Sequence, residues 1–509
     1  MTYDIILLSE VVSKIFHQKS LGPYQLASHL RRQGYSVKVI NHFSEFYKDV
    51  DEFNRLLDQL IGPNTVFVGV SGTFFGRSME VIPTDWQSFY RRWDKFSGAT
   101  FTNDELSDFF LDLKHRHPHI KIVYGGVKAR RSPDFFKGID WVVSGLAEKM
   151  VIDLLDHLKT GRSIQFYPMD GYKVIDYDIL GQQFDFHNQH TEWTESDHIV
   201  PGEAIPLETS RGCMFACKFC SFPLLGRSRH DNAYQKHLDQ LTREFANNWD
   251  RHKVNRYYFI DDTFNESSDK IELVLEAVRK AGVPSLEFSA YIRGDLCVKN
   301  PEQLPLLKEL GLSAAFLGVE SLNRKSLKAI GKGLDPELVK QGLVDMKTAM
   351  PDTLLYGSFI IGLPYETRAT LNSWLPWVED PNCPLDTVVL RALEFYKGAY
   401  NSEFARDPEK YGYRFDHNGH WYNDEWNYSS CWDLSNEIMQ GMWESGRAKL
   451  QSWDAMGLLG LGYDFAWLRQ TPLKDLPYQD IFDRKRKYFE TYKNLLLEYE
   501  KDQTGKSNS

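Results

Sequence analysis

Two long runs of short apolar stretches alternating with amphipathic segments divide the chain. In residues 1–160, apolar stretches at 5–8, 37–40, 66–71, 120–124 and 141–143 predict five strands. The segments between them read as helices: 22–34 carries Leu26 and Leu30 at helical spacing and stops at Gly34, and 105–115 and 148–158 follow the same period. This βαβ rhythm predicts a doubly wound, Rossmann-like parallel sheet. Ligands of such sheets sit at the carboxyl ends of the strands. Here those ends carry Ser71-Gly72-Thr73, Gly125-Gly126 and Ser144-Gly145, none of which is a G-x-G-x-x-G dinucleotide fingerprint.

Residues 204–398 repeat the rhythm, with strands predicted at 205–210, 256–262, 286–293, 314–320, 354–362 and 386–395. Helices fall between them, the first marked by Tyr234, Leu238, Leu241, Phe245 and Trp249 and another closed by Gly311. Six βα units fall short of the eight of a full TIM barrel. Residues 161–203 lose periodicity and hold His187, His190 and His198, no two of them at i,i+4 on a helix, so a linker is expected rather than a metal site. Residues 399–501 contain six of the 13 Trp, which predicts a small, mostly helical region packed by aromatics or, functionally, an aromatic lid. Ile481, Phe482, Tyr488, Phe489, Tyr492, Leu495, Leu496 and Tyr499 form one helical stripe that should dock on the core. The Arg484-Lys485-Arg486-Lys487 run reads as the solvated face, and 502–509 as a disordered tail.

Composition narrows the function. Hydrophobic residues at 42% and charged residues at 26% of 509 describe a globular protein of two or three domains. A net charge of −10 argues against nucleic acid or an anionic membrane as the main partner, and a small-molecule substrate is expected. No apolar run approaches the roughly 20 residues that span a bilayer. With no signal-peptide pattern and three cysteines scattered singly (Cys297, Cys383, Cys431), a cytoplasmic location is expected.

The other three cysteines fall in Arg211-Gly212-Cys213-Met214-Phe215-Ala216-Cys217-Lys218-Phe219-Cys220, directly after a predicted strand. The C-x₃-C-x₂-C spacing can point three thiolates at one soft metal centre. Zinc would want a fourth ligand, and His230 stands at a spacing that fits no usual finger. A [4Fe–4S] cluster takes four thiolates, so three leave one iron open to a ligand.

With Phe219 as its aromatic, this motif resembles that of the radical S-adenosylmethionine (SAM) enzymes. The resemblance implies a six-strand partial barrel in which Cys213, Cys217 and Cys220 hold a [4Fe–4S] cluster. SAM would chelate the open iron and be split reductively to a 5′-deoxyadenosyl radical. It further implies a set of SAM contacts at strand ends: Phe219; Asp261 or Asp262, in Ile260-Asp261-Asp262-Thr263-Phe264, toward the methionyl amine; and Arg293 toward the SAM carboxylate, unless it bridges to Asp295 on the surface. Glu320 and Ser321, in Gly318-Val319-Glu320-Ser321, would reach the ribose or amine. Ile361, within Phe359-Ile360-Ile361-Gly362-Leu363-Pro364, would lie along the adenine. Beside such a module, residues 1–160 resemble a cobalamin (B12)-binding domain, with Ser71, Gly72, Gly125, Gly126 and Gly145 lining the nucleotide slot and Glu148 opening the following helix. The D-x-H-x-x-G motif that supplies a lower axial histidine is absent, and 74–102 form a long insertion that would either cap the cofactor or pack over a vacant sheet edge.

The resemblance thus implies a cytoplasmic cobalamin-dependent radical SAM enzyme, most simply a methyltransferase, fed by an electron donor such as flavodoxin or ferredoxin. The alternatives are radical oxidation, rearrangement or cyclisation without cobalamin, and a non-catalytic cobalamin or redox sensor. A methylthiotransferase is disfavoured because residues 1–160 hold no cysteine for a second cluster.

Overall fold

A computed structural model describes residues 2–10, 16–72, 102–126, 129, 136–169, 171–176, 185–220, 234–395 and 402–507. His230 and insertion residues 74–101 lie outside the described residues.

The first five strands, β1 (Ile5–Leu8), β2 (Val37–Ile40), β3 (Phe67–Ser71), β4 (Lys121–Gly126) and β5 (Trp141–Ser144), pair in parallel in the order β2-β1-β3-β4-β5. Both faces are covered by helices, so β1 and β2 are buried at every position, as a parallel sheet requires. The helix Asn103–Arg116 opens on a capping box in which Thr102 and Glu105 exchange side chain-to-backbone bonds. Residues 161–203, expected as a linker, contribute to this sheet: β6 (Tyr167–Met169) and β7 (Tyr172–Ile175) form a hairpin, and β7 runs parallel to β5. Val174 and Ile175, two residues too few to show a period, are fully buried there.

The second sheet is the expected six-strand parallel partial barrel, β8 (Ile205–Leu207), β9 (Arg256–Phe259), β10 (Glu287–Ile292), β11 (Leu312–Glu320), β12 (Leu354–Ile361) and β13 (Thr387–Ala392), in sequential order. Its outer face packs on helices; Phe359, for example, stacks on Trp374 of the helix Arg368–Glu379. Two C-terminal helices complete it. Tyr428–Glu444 lies along β13, where Ser435 donates to the Leu390 carbonyl at 2.6 Å and covers the sheet edge. Ser452–Gly460 packs against β9, β10, β11 and β12.

The final helix, Tyr478–Ser507, continues through most of the expected tail. It docks its aromatic stripe on the N-terminal domain: Tyr488, Phe489, Tyr492 and Leu496 share a core with Ile6, Leu8, Ile40 and Phe46. Fully buried Lys38 of β2 meets Glu500 at 2.7 Å and His198 at 2.7 Å, and Tyr3 donates to the same carboxylate at 2.8 Å. Lys485 departs from the solvated face expected of it. It is 6% exposed, and burial lowers its pKa to about 8. Among the described residues no helix is long and apolar enough to cross a membrane.

Candidate active site

The carboxyl ends of the two sheets face each other, and the link between them lies two residues before the first cysteine of the motif. Arg211 is clamped by Glu148, in the first turn of the helix Ala147–Thr160 after β5, at 2.7 Å, and by Glu208 at 2.9 Å. Gln25 of the helix Leu21–Arg32 accepts from it at 2.9 Å, and its guanidinium lies 4.5 Å from the Phe186 ring. Two carboxylates on one buried guanidinium hold its pKa well above the ordinary range.

From this anchor the loop carries Cys213, buried beneath Thr263 (Sγ to Oγ1 3.3 Å), and Cys217 and Cys220, both half-buried. Cys220 N–H donates to the Cys217 carbonyl at 3.1 Å, and Lys218 N–H to the Ile330 carbonyl at 3.1 Å. None of the three is in a disulfide. Among the described residues no three His, Cys, Asp or Glu side chains converge on a single metal ion. The loop instead presents separate thiols at a strand end, which suits a cluster whose irons are separate corners. Arg293 points Nη1 at the Cys217 sulfur at 3.8 Å and lies 4.1 Å over the Phe215 ring. A donor aimed at a sulfur is one of the means by which proteins tune iron–sulfur clusters. On these observations the residues fit the group.

The remaining expected contacts divide. Asp261 is fully buried and turned inward, not toward a ligand. It accepts from Thr209 N–H (3.0 Å), Thr209 Oγ1 (2.8 Å), Ser210 N–H and Ser210 Oγ (2.9 Å), and Lys270 stands 3.5 Å away. Its carboxylate pins the stretch leading to Cys213. Asp262 is half-exposed, and burial together with the negative charge of Glu208 and Asp261 raises its pKa to about 7. Arg293 takes the alternative, a bidentate pair with Asp295 (2.9 and 2.7 Å), but buried rather than on the surface.

Glu320 is held at 2.9 Å by Lys332, in the turn Gly331-Lys332-Gly333, which no motif in the sequence singles out. Its backbone lies in the left-handed region (φ 69°), beside a register shift in β11, a strained conformation of the kind that clusters at functional sites. A Cβ at Gly318 would lie 2.5 Å from Glu320 Oε1, so the glycine makes room for this carboxylate. Ser321 turns away, donating to buried Glu366 at 2.9 Å. Ile361 is fully buried toward the helices; Ile360, paired with Arg391 of β13, is the one facing the lumen. Phe219 is half-buried at the edge of the core.

At the other edge Ser71, Gly125, Gly126 and Gly145 are half-exposed beyond strands that are otherwise buried. Gly72 N–H donates to Gly125 O at 2.6 Å and Gly145 N–H to Gly126 O at 3.3 Å. A Cβ on Gly72 would sit 2.5 Å from the Tyr124 ring, and Gly126 and Gly145 have φ of 134° and 100°. Backbone, not side chain, lines this edge, as a slot for a nucleotide tail requires. Gly72 serves chiefly to admit Tyr124. Glu148 is committed to Arg211.

Residues 207–375 match the family model of the radical SAM superfamily. The chain is 24% identical over 312 residues to an uncharacterised methyltransferase of Pyrococcus horikoshii, covering 55% of this chain and 63% of that one. The chain spans less than two thirds of the length of the curated relatives it matches. Over nearly the whole chain, the fold is that of the radical S-adenosylmethionine methyltransferase TsrM from Kitasatospora setae, solved with tryptophan substrate and a SAM analogue (TM-score 0.64, 15% identity, 95% of this chain and 99% of that one). It is also that of OxsB, a cobalamin-dependent radical enzyme solved with aqua-cobalamin (TM-score 0.59, 15% identity, 98% and 81%).

Proposed function

We propose that this chain is a cobalamin-dependent radical SAM enzyme that transfers a methyl group to an unactivated carbon of a small molecule. The observation that carries the reading is the juxtaposition across the Arg211–Glu148 link: a three-thiol loop on one side and a glycine-lined sheet edge on the other. The methyltransferase relative and the two-domain fold shared with TsrM and OxsB support it.

Cys213, Cys217 and Cys220 would hold a [4Fe–4S] cluster, and Gly125, Gly126, Gly145 and Ser71 the tail of a cobalamin. When bound, the two groups supply an electron for cleavage of SAM and a methyl group for transfer to carbon. The chain's own residues prepare the space between. Arg293, fixed by Asp295, keeps an N–H on the Cys217 sulfur. Lys332 holds Glu320 at the end of β11, from where its carboxylate would meet the ribose hydroxyls or amine of SAM. The Asp261 network fixes the approach to Cys213, and Arg211 locks the two carboxyl-end faces together. The helix Ser452–Gly460 closes the lumen from the opposite side, which excludes water from a reactive radical. Reducing equivalents would come from a flavodoxin- or ferredoxin-type donor.

Anaerobic purification with cobalamin supplied tests the reading. About four irons and about one corrinoid per chain, with SAM consumed on reduction, are expected. Iron without corrinoid overturns the cobalamin half, and a protein without iron overturns the whole.

A further inference from the structure

The helix Ser452–Gly460 does more than close the barrel. Its last turn lies at the amino ends of the strands, where Arg256 at the start of β9 donates to the Leu459 carbonyl at 3.5 Å. Its first turn reaches up the lumen. Trp453 stacks on Tyr258 of β9 (centroids 5.6 Å apart, planes at 16°) and lies 5.1 Å from Tyr291, near the end of β10, to whose hydroxyl its indole N–H donates. Tyr291 continues to Phe316 at 4.8 Å and Phe316 to Tyr356 at 5.0 Å, so four strands contribute to one aromatic belt. Strand alternation identifies the middle of the belt as the wall of an open space. Tyr291, Phe316 and neighbouring Ile360 are partly exposed, whereas Ile292, Leu317 and Ile361 on the other face are 1%, 0% and 0% exposed; Tyr258, stacked between Phe16 and Trp453, and Tyr356 are buried and support the wall from behind.

Beside Trp453 stands Asp454. Its carboxylate accepts from the Gln451 backbone N–H, the reach-back of a third helical residue to its cap. On an exposed helix that would be its whole role. Here the helix begins inside the barrel, and the carboxylate is felt by Tyr258. Burial raises its pKa to about 7, and among the described residues no cation pairs with it. Arg391, inward-facing on β13, acts on Tyr291 instead. A partly exposed carboxyl beside an aromatic wall, with no cation of the chain paired to it among the described residues, is an acceptor for a cation that arrives with a ligand.

We propose that Asp454, with Tyr291, Phe316 and Trp453, recognises a substrate amine: the carboxylate pairs with the protonated amino group and the rings receive the flat apolar body that bears it. This rests on the reading of the lumen as the reaction chamber, and it names the substrate class of that chamber.

Calorimetric titration of the full-length, anaerobically reconstituted protein with tryptamine, phenethylamine and the amine-free 3-ethylindole tests it. The amines are expected to bind about tenfold or more tightly than 3-ethylindole. The near-isosteric Asp454→Asn variant abolishes that preference and leaves 3-ethylindole binding within about twofold, whereas Asp454→Glu, which keeps the charge, retains part of it. Trp453→Leu weakens all three probes. Equal binding of amine and neutral probe, no binding of any of them, or a preference that survives Asp454→Asn overturns the proposal. Iron and corrinoid content of the wild type report separately on the reading beneath it: a fully loaded protein without amine preference sinks only the amine site.

Discussion

The two carboxyl-end edges that meet in this molecule are built on opposite plans. The barrel edge is wired with charge: Asp261 with Lys270, Glu320 with Lys332, Arg293 with Asp295, and Arg211 with Glu208 and Glu148, all largely buried. The N-terminal edge from β3 to β5 is glycine and backbone, tied by the backbone hydrogen bonds Gly72–Gly125 and Gly145–Gly126. The difference follows from what each would hold. A charged, reacting cosubstrate needs oriented ionic groups whose own positions are fixed by partners, whereas a large cofactor tail needs only backbone that can approach it closely. The cost also differs. Each buried ion pair makes the barrel edge fragile to loss of one partner, and the glycine edge is fragile only to an added Cβ.

That contrast can be broken in graded steps. Replacing Cys213, Cys217 or Cys220 with alanine is expected to bring SAM cleavage to background and to lower iron content, read by iron assay and product analysis after reduction; cleavage that survives any of them would separate the loop from the chemistry. Asp261→Ala removes the acceptor for Thr209, Ser210 and Lys270 together. About 3–5 kcal/mol of stability should go, visible in chemical denaturation, with iron retention falling alongside.

Glu366, fully buried beyond β12, tests the barrel wiring by pH. Burial raises its pKa from the ordinary 4.5 to about 8. Between those values the unfolded chain has lost the proton and the folded one keeps it, so stability falls as pH rises through that window. Within the window the loss approaches roughly 1.4 kcal/mol for each tenfold drop in proton concentration. Glu366→Gln should flatten melting temperature against pH from about 5 to 8, and an unchanged profile would show the carboxyl to be ionised in the fold. The smallest effect belongs to the other edge. Gly145→Ala puts a Cβ on a residue with φ of 100°; about 1–2 kcal/mol of stability and a drop in corrinoid stoichiometry are expected, with iron content unchanged. A matching fall in iron would mean that the two edges are not independent.

Much of this was legible from period alone. Five of the seven strands of the first sheet and all six of the second lie where short apolar runs placed them, because a strand covered on both faces reads as a short, mostly apolar run. β6 and β7 escaped because Tyr-Pro-Met and Tyr-Lys-Val-Ile are too short for any period and lie between glycine and aspartate turns. At the site, Glu320 stood out as a carboxylate after an apolar strand, but its partner Lys332 is 12 residues away and recognisable only as a lysine between two glycines. Asp261 and Asp262 are adjacent and alike in sequence. Alternation puts them on opposite sides of the strand end, and only packing says which side is open. Lys485 looked solvated in a basic run until the N-terminal domain covered it.

Local sequence was enough for the two α/β units and the cysteine loop at the end of β8, since these rest on short periods and on spacing within ten residues. Everything that depends on distant segments meeting was settled by the packed fold: the final helix against the first two strands, Arg211 against Glu148, Lys332 on Glu320, and Trp453 and Asp454 raised into the barrel. No local pattern encodes those meetings, because the burial that stabilises them exists only once both partners have folded.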